Sequence, residues 1–286
     1  AHAVTQYRVV GEPGQPIGHG RGVANRYVET LDAVALAHNS GYRTMIAGKW
    51  NVGSEPYNLP NRRGFDRSIV QGDTGSDNWE QRPYFPIYKQ ADWFEDGKRA
   101  TLPKDYYSSR FLVDTIIRYV ESKPDDGRPF FVYLPHYAVH TPIMAKPEVI
   151  AKYKAKADPN APHKNPAYAA LVESVDDSVG RLMAKLDELK LSANTLLIFT
   201  SDNGGLIGPT ANPPLRVGKG SAYEGGVRVP FIVRWPGVVK PDSRTDALAA
   251  NIDVVPTLVE ACAAAKPKLE IDGQSFLPDR KSTRLN

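Results

Sequence analysis

A single cysteine, Cys262, stands among 286 residues, so an internal disulfide framework is excluded. It sits in an apolar, helix-like stretch and reads as a small core residue. No apolar run approaches the ~20 residues needed to cross a bilayer, and the Gly-rich, polar opening after Ala1-His2-Ala3 shows no signal-peptide pattern. No membrane span is expected. Formal net charge is only +4, and Lys and Arg are scattered rather than clustered with aromatics. A nucleic-acid groove is therefore not expected, and the charge is a mild bias towards anionic ligands. Internal repeats are absent too. What is present is an ordinary globular composition, 41% hydrophobic and 24% charged, long enough for one large α/β domain or two small ones.

Residues 1–24 are loop-like, and from Tyr27 the spacing of Val28, Leu31, Val34 and Ala35 predicts a helix that stops at Gly41. Tyr42 to Ala47 reads as a strand delivering Gly48-Lys49-Trp50-Asn51 to its end. Residues 54–105, rich in Pro, Gly, Asp and aromatics, read as a long, partly ordered insertion of a kind that often carries function. Tyr107 to Glu121 follows as a helix, ended by the turn at 123–127. Phe130 to Leu134 is a buried strand trailing Pro135 to Pro142, with His136 and His140. A long helix opens at Asn165-Pro166, with Tyr168, Leu171, Val172, Val175, Val179, Leu182, Leu186 and Leu189 as its apolar stripe. Strands at Leu196 to Phe199 and Phe231 to Val233, then a helix from Val254 to Ala264 capped by Asp253, complete the order. That order predicts an α/β fold, a largely parallel sheet sandwiched between helices. Residues 279–286 have no hydrophobic period and read as a tail outside the 1–278 domain.

The chemistry concentrates between Thr195 and Trp235. A short buried strand breaks into Ser201-Asp202-Asn203-Gly204-Gly205, which presents oxygen ligands where α/β sheets usually carry their chemistry. Asp202 and Asn203 suit a hard cation, calcium or magnesium, better than zinc. Taken alone, Asx-Gly is also ordinary turn chemistry. The loop that follows places Lys219 between Gly218 and Gly220, where the backbone can approach a ligand closely. With Lys49 and His140 from the other strand ends, the set describes an electropositive pocket for a tetrahedral oxyanion leaving a carbon-bound oxygen. The lysines would act as point charges and the histidine as proton donor to the leaving alcohol. His136 is the weaker candidate of the two histidines.

The motifs Gly41-Tyr42-Arg43-Thr44 with Gly48-Lys49-Trp50, Arg63-Gly64-Phe65-Asp66, His140-Thr141-Pro142, Ser201-Asp202-Asn203-Gly204-Gly205, and Gly218-Lys219-Gly220 with Tyr223-Glu224-Gly225-Gly226-Val227-Arg228-Val229-Pro230 appear in one order. In that order the chain resembles the type I sulfatases of the alkaline phosphatase superfamily, most nearly their arylsulfatase branch. The resemblance implies hydrolysis of a small-molecule or glycan sulfate ester to alcohol and inorganic sulfate, with one calcium ion, magnesium being the second choice. It implies Asp202 and Asn203 as metal ligands, Lys49 and Lys219 as sulfate-binding groups, Lys219 also at the leaving oxygen, and His140 at that same oxygen.

Two departures accompany it. The family's nucleophile is a formylglycine made from a Cys/Ser-x-Pro-x-Arg motif, and no such motif occurs in these residues; Cys262, in Glu260-Ala261-Cys262-Ala263, is no substitute. The family's early Asp-Asp ligands are missing as well. Where the family commonly has His after Gly-Lys-Trp, this chain has Asn51, which can hydrogen-bond the nucleophile's hydroxyls but cannot accept a proton as imidazole does. The expectation is a chain lacking the family's N-terminal segment, which by itself turns over no sulfate ester. Two other readings stay open: a phosphate or phosphonate monoester hydrolase of the same superfamily, and a non-catalytic relative that binds anions or sulfated glycans.

Overall fold

Seven residues, RTMIAGK, form β1 (Arg43–Lys49), and they are buried almost throughout because the strand is covered on both faces. Met45 and Ala47 enter one core cluster and Ile46 the other, as alternating side chains of a strand must. The computed structural model describes residues 34, 37–84, 87–122, 127–158, 160–264 and 271–277. The helix expected from Tyr27, the turn at 123–126 and the tail at 279–286 lie outside those residues, apart from Val34 and 37–39, which are helical. Gly41 follows with φ of 83°, a left-handed turn that a Cβ would strain.

β1 pairs in parallel with β2 (Arg67–Gln71) and with β5 (Phe130–Tyr133). β3 (Trp93–Glu95) and β4 (Lys98–Arg99) run antiparallel, joined through Asp96-Gly97 at positive φ, and the sheet order is β4-β3-β2-β1-β5. β6 (Leu197–Thr200) and β7 (Phe231–Arg234) form a separate antiparallel pair. The sheet is therefore mixed, with the expected parallel arrangement confined to β2, β1 and β5. The stretch 54–105, read from sequence as an insertion, supplies three of the five strands, and Trp93, Phe94, Leu102 and Tyr106 are buried core.

α1 (Ser108–Glu121) and α3 (Pro166–Glu188) cover one face. There Leu112, Val113, Ile116 and Val120 of α1 and Leu182 and Leu186 of α3 pack with Met45, Ala47, Ile69, Phe130 and Val132. α4 (Glu224–Val227) is a single turn between β6 and β7, and on the other face Val254 and Leu258 of α5 (Val254–Ala261) pack with Ile46, Val70, Phe131 and Ile198. Truncating a fully buried aliphatic residue here, such as Ile46 or Leu112, would cost about 2–5 kcal/mol.

Three local expectations need correction. Asn165 caps α3 as expected, accepting from Ala167 N and Tyr168 N, but Val172 of the anticipated stripe is 47% exposed. The buried residues are Ala170, Leu171, Ser178, Leu182 and Leu186, so three of the anticipated stripe are core and the buried face is narrower than that stripe. Asp253 stands at the start of α5, yet its carboxylate accepts from Ala250 N and Gln274 N instead of capping the helix. A further helix, α2 (Pro147–Ala155), was not anticipated; it buries no residue fully, and only Val149, Ile150 and Tyr153 of its short apolar face pack half-buried beside Ala170 and Leu171.

Candidate active site

Gly48 has φ of 136°, and a Cβ built on it would lie 2.0 Å from Pro135 O. Only glycine lets the end of β1 meet the chain leaving β5 this closely. The junction is closed by Lys49 N donating to Pro135 O at 2.9 Å. Lys49 is the last residue of β1, half-buried, and it is register-paired with the buried Gln71 of β2. Trp50 behind it is buried, its indole N–H donating to Asn58 O at 3.0 Å and its ring edge-on to Phe65. Asn51 is exposed with φ of 52°. Asparagine is among the few residues that tolerate this left-handed conformation, which accounts for its presence after the tryptophan.

The loop after β5 carries both histidines, and the structure separates them sharply. His136 is buried, neither ring nitrogen has a hydrogen-bond partner among the described residues, and burial pushes its pKa down to about 4. It is a neutral imidazole near pH 7. His140 is half-buried, with Nδ1 2.8 Å from Thr141 O. A carbonyl accepts only, so in this contact Nδ1 carries the proton. Its ring lies between Tyr84, T-shaped at 5.5 Å, and Tyr137 at 5.3 Å. Tyr137 donates to Thr141 O at 3.0 Å, and burial raises its phenol above the ordinary range.

The wall beside His140 is the segment 72–84, and it is held by buried polar side chains. Thr74 Oγ1 and the Asp92 carboxylate bond each other, and Asp92 N donates back to Thr74 Oγ1 at 2.9 Å. Asp77 Oδ1 accepts from the amides of Trp79, Glu80 and Gln81, while its Oδ2 accepts from Arg82 Nε at 2.9 Å. A carboxylate accepting several amides and a guanidinium is a rigid pin. Tyr84 N then donates to Thr74 O at 3.1 Å, which sets its ring against His140.

The second half of the site leaves β6. Asp202 and Asn203 are half-buried, and Asn203 Nδ2 donates to Gly204 O at 3.0 Å, turning the amide oxygen the other way. Gly204 N donates to Gly226 O at 2.9 Å, and a Cβ on Gly204 would sit 1.8 Å from Gly225 O. These glycines are required by close backbone approach, which explains their density in this stretch. Asn212 clamps the turn: Gly205 N donates to its Oδ1, and its Nδ2 donates to Gly205 O and Val217 O, at 2.9–3.1 Å. Lys219 N donates to Gly205 O at 3.0 Å, so the half-buried Lys219 rides on the Asp202-Asn203 loop. Cys262 follows α5, half-buried, its thiol pushed up by burial, which makes it a poor nucleophile.

The residues singled out in the sequence thus fall into two joined pairs of segments. Lys49 is tied to the chain carrying His136 and His140, and Lys219 is tied to the chain carrying Asp202 and Asn203. Tyr84, Tyr137 and Asn212 were missed; an aromatic or an asparagine in a loop gives no periodic signal. For a metal, Asp202 and the outward amide oxygen of Asn203 are hard donors of the kind calcium takes. Two donors do not complete a shell of 6–8 oxygens, and among the described residues no group of three or more His, Cys, Asp or Glu gathers around one point. A cavity of about 240 Å³ lined by Met45, Arg67 and Tyr119 lies at the start of β2, away from Lys49.

Loops beside the strand ends of this α/β fold carry two lysines, a histidine and hard oxygen donors, groups whose chemistry suits an oxyanion. The chain belongs to the sulfatase family, whose profile matches residues 25–263. It is 42% identical over 177 residues to a sulfatase of Formosa agariphila, covering 58% of this chain and 32% of that protein. With arylsulfatase A of Bos taurus it shares 31% identity over 272 residues, 87% of this chain and 51% of the relative. The solved structure of Ps i-CgsB in complex with k-i-k-neocarrahexaose superimposes with a TM-score of 0.76 at 30% identity, over 86% of this chain and 56% of that one. The chain spans roughly a third to two thirds of the length of the curated relatives it matches.

Proposed function

We propose that this chain forms the sulfate-recognising side of a sulfuric ester hydrolase that cleaves a sulfate ester, on a sugar or another small alcohol, to the alcohol and inorganic sulfate. The observation that carries the reading is the bond from Lys219 N to Gly205 O, which seats a cation on the loop of the hard donors Asp202 and Asn203. Family membership and the likeness to Ps i-CgsB, solved with a neocarrahexaose, support a glycan ester as substrate.

In this reading Lys49 and Lys219 hold the sulfate oxygens as point charges, each positioned through its own backbone N–H rather than by side-chain reach alone. His140 serves the leaving oxygen. Its Nδ1–H is committed to Thr141 O, so an imidazolium delivers its proton from Nε2 to the departing alkoxide. Asp202 Oδ and Asn203 Oδ1 would hold calcium with ligands beyond these two, and the ion would supply charge neutralisation at a sulfate oxygen. Asn51, exposed at the end of β1, is assigned a hydrogen-bonding role towards the nucleophile and no proton transfer. The formylglycine fits no residue of this chain: the motif that generates it is absent, and Cys262 is packed beside Tyr42.

The test is binding of 4-nitrophenyl sulfate to the purified chain with calcium present, followed calorimetrically. Saturable binding that weakens about tenfold or more in Lys219→Ala and Lys49→Ala is expected. Equal binding by all three proteins would sink the assignment, and tighter binding of 4-nitrophenyl phosphate would redirect it to phosphate esters.

A further inference from the structure

Tyr84 occupies an unusual position for a loop aromatic. The residue is 42% exposed, yet it is built in from three sides. Its amide donates to Thr74 O at 3.1 Å, and its Cβ would lie 2.7 Å from a Cβ on Gly75, which has φ of 63° and leaves the space open. Its ring stands T-shaped to that of His140, centroids 5.5 Å apart with 73° between planes. Thr141 Oγ1 lies 3.5 Å from its hydroxyl. The segment beneath it is pinned by Asp77, whose side chain is 3% exposed and whose two oxygens accept from three amides and from Arg82. A rigid, half-exposed ring on a rigid wall presents surface to a ligand at little entropic cost.

From this geometry we infer that Tyr84 is a specificity-determining residue, a platform for a six-membered ring in the alcohol part of the ester. The inference rests on the role proposed for His140. Whatever alcohol takes a proton from His140 Nε2 must pass its first carbon atoms beside the ring next to that imidazole. A planar or chair-shaped ring, aryl or pyranoside, lays a face of C–H or π surface on the exposed side of Tyr84, whereas a short acyclic chain covers little of it. Arg82 does not make the wall cationic, because Asp77 and Glu80 both pair with it. The platform therefore reads the alcohol by shape and apolar surface, leaving charge recognition to the two lysines.

The experiment is a calorimetric titration of the full chain with calcium, using galactose 6-sulfate, 4-nitrophenyl sulfate and ethyl sulfate as probes, on the wild type, Tyr84→Ala, Tyr84→Phe and Lys219→Ala. Tyr84→Ala should weaken one or both ring-bearing esters about tenfold and leave ethyl sulfate within twofold. Tyr84→Phe keeps the ring and should bind as the wild type does. The ring-bearing probe that responds more identifies the class, pyranoside or aryl. Equal loss for all three esters in Tyr84→Ala, or no loss for any, overturns the inference. Lys219→Ala separates this from the underlying reading: it should weaken all three probes, and a chain for which it weakens none has lost the sulfate site itself, and the platform with it.

Discussion

His136 gives the sharpest handle on the buried side of the site, because its environment makes a signed demand on pH. The imidazole is enclosed, has no hydrogen-bond partner at either nitrogen among the described residues, and is held to a pKa of about 4 by burial, against 6.5 for an unperturbed histidine. The folded state therefore resists protonation and the unfolded state does not. Above pH 6.5 both states are neutral and folding loses nothing; as pH falls from 6.5 to 4, the unfolded chain takes up a proton the fold excludes. The difference is roughly 2.5 pH units at about 1.36 kcal/mol each, or about 3 kcal/mol lost by pH 4. Urea unfolding of the wild type and His136→Phe at pH 7, 6, 5 and 4 isolates this term, since carboxylates titrate in both proteins and cancel in the comparison. The variant removes two unsatisfied nitrogens at similar volume, so it should match or exceed wild-type stability at pH 7. Its advantage should then grow by about 3 kcal/mol at pH 4. Parallel loss of stability in the two proteins would refute the burial argument, and would mean that water or a polar group satisfies the ring.

Gly48→Ala places a Cβ 2.0 Å from Pro135 O at a φ of 136°; loss of several kcal/mol of stability, or failure to fold, is expected in thermal melts. Asn212→Ala removes three hydrogen bonds that clamp Gly205 and Val217; a loss of about 1–3 kcal/mol and weaker sulfate binding should appear together in denaturation and calorimetry. Asp202→Ala should abolish any calcium dependence of sulfate binding while leaving the calcium-free affinity within about twofold. The 286 residues alone should release no measurable 4-nitrophenol from 4-nitrophenyl sulfate, since they hold no Cys/Ser-x-Pro-x-Arg nucleophile motif; turnover abolished by Lys219→Ala would overturn that.

What could be read from the sequence followed the length and continuity of its apolar patterns. β1, β5 and β6 are buried runs next to glycine- or proline-marked turns; Lys49 closes β1, and the loops after β5 and β6 hold His140 and Asp202. α1 and α3 carry long stripes, and the cap at Asn165 was visible as Asn-Pro. The stretch 54–105 misled because its strands are short: β3 and β4 are three and two residues long, too brief for alternation to register. β2 is five residues, but Ser68 and Gln71 are buried polar positions within it and break its apolar run. Tyr84 and Asn212 act through tertiary contact with His140 and Gly205, so nothing in their own neighbourhood announces them. Val172 shows the limit of helical periodicity, since a stripe wide enough to include it is wider than the face α3 buries.

The measurement that bears most directly on the site is titration of inorganic sulfate into the purified chain, with and without calcium, alongside Lys49→Ala and Lys219→Ala. The two lysines, fixed by Pro135 and Gly205 respectively, should give saturable sulfate binding that calcium tightens and that either substitution weakens by about tenfold or more. Sulfate binding indifferent to both lysines and to calcium, or no binding at all, would contradict the assignment of this chain as the sulfate-recognising side of a sulfatase.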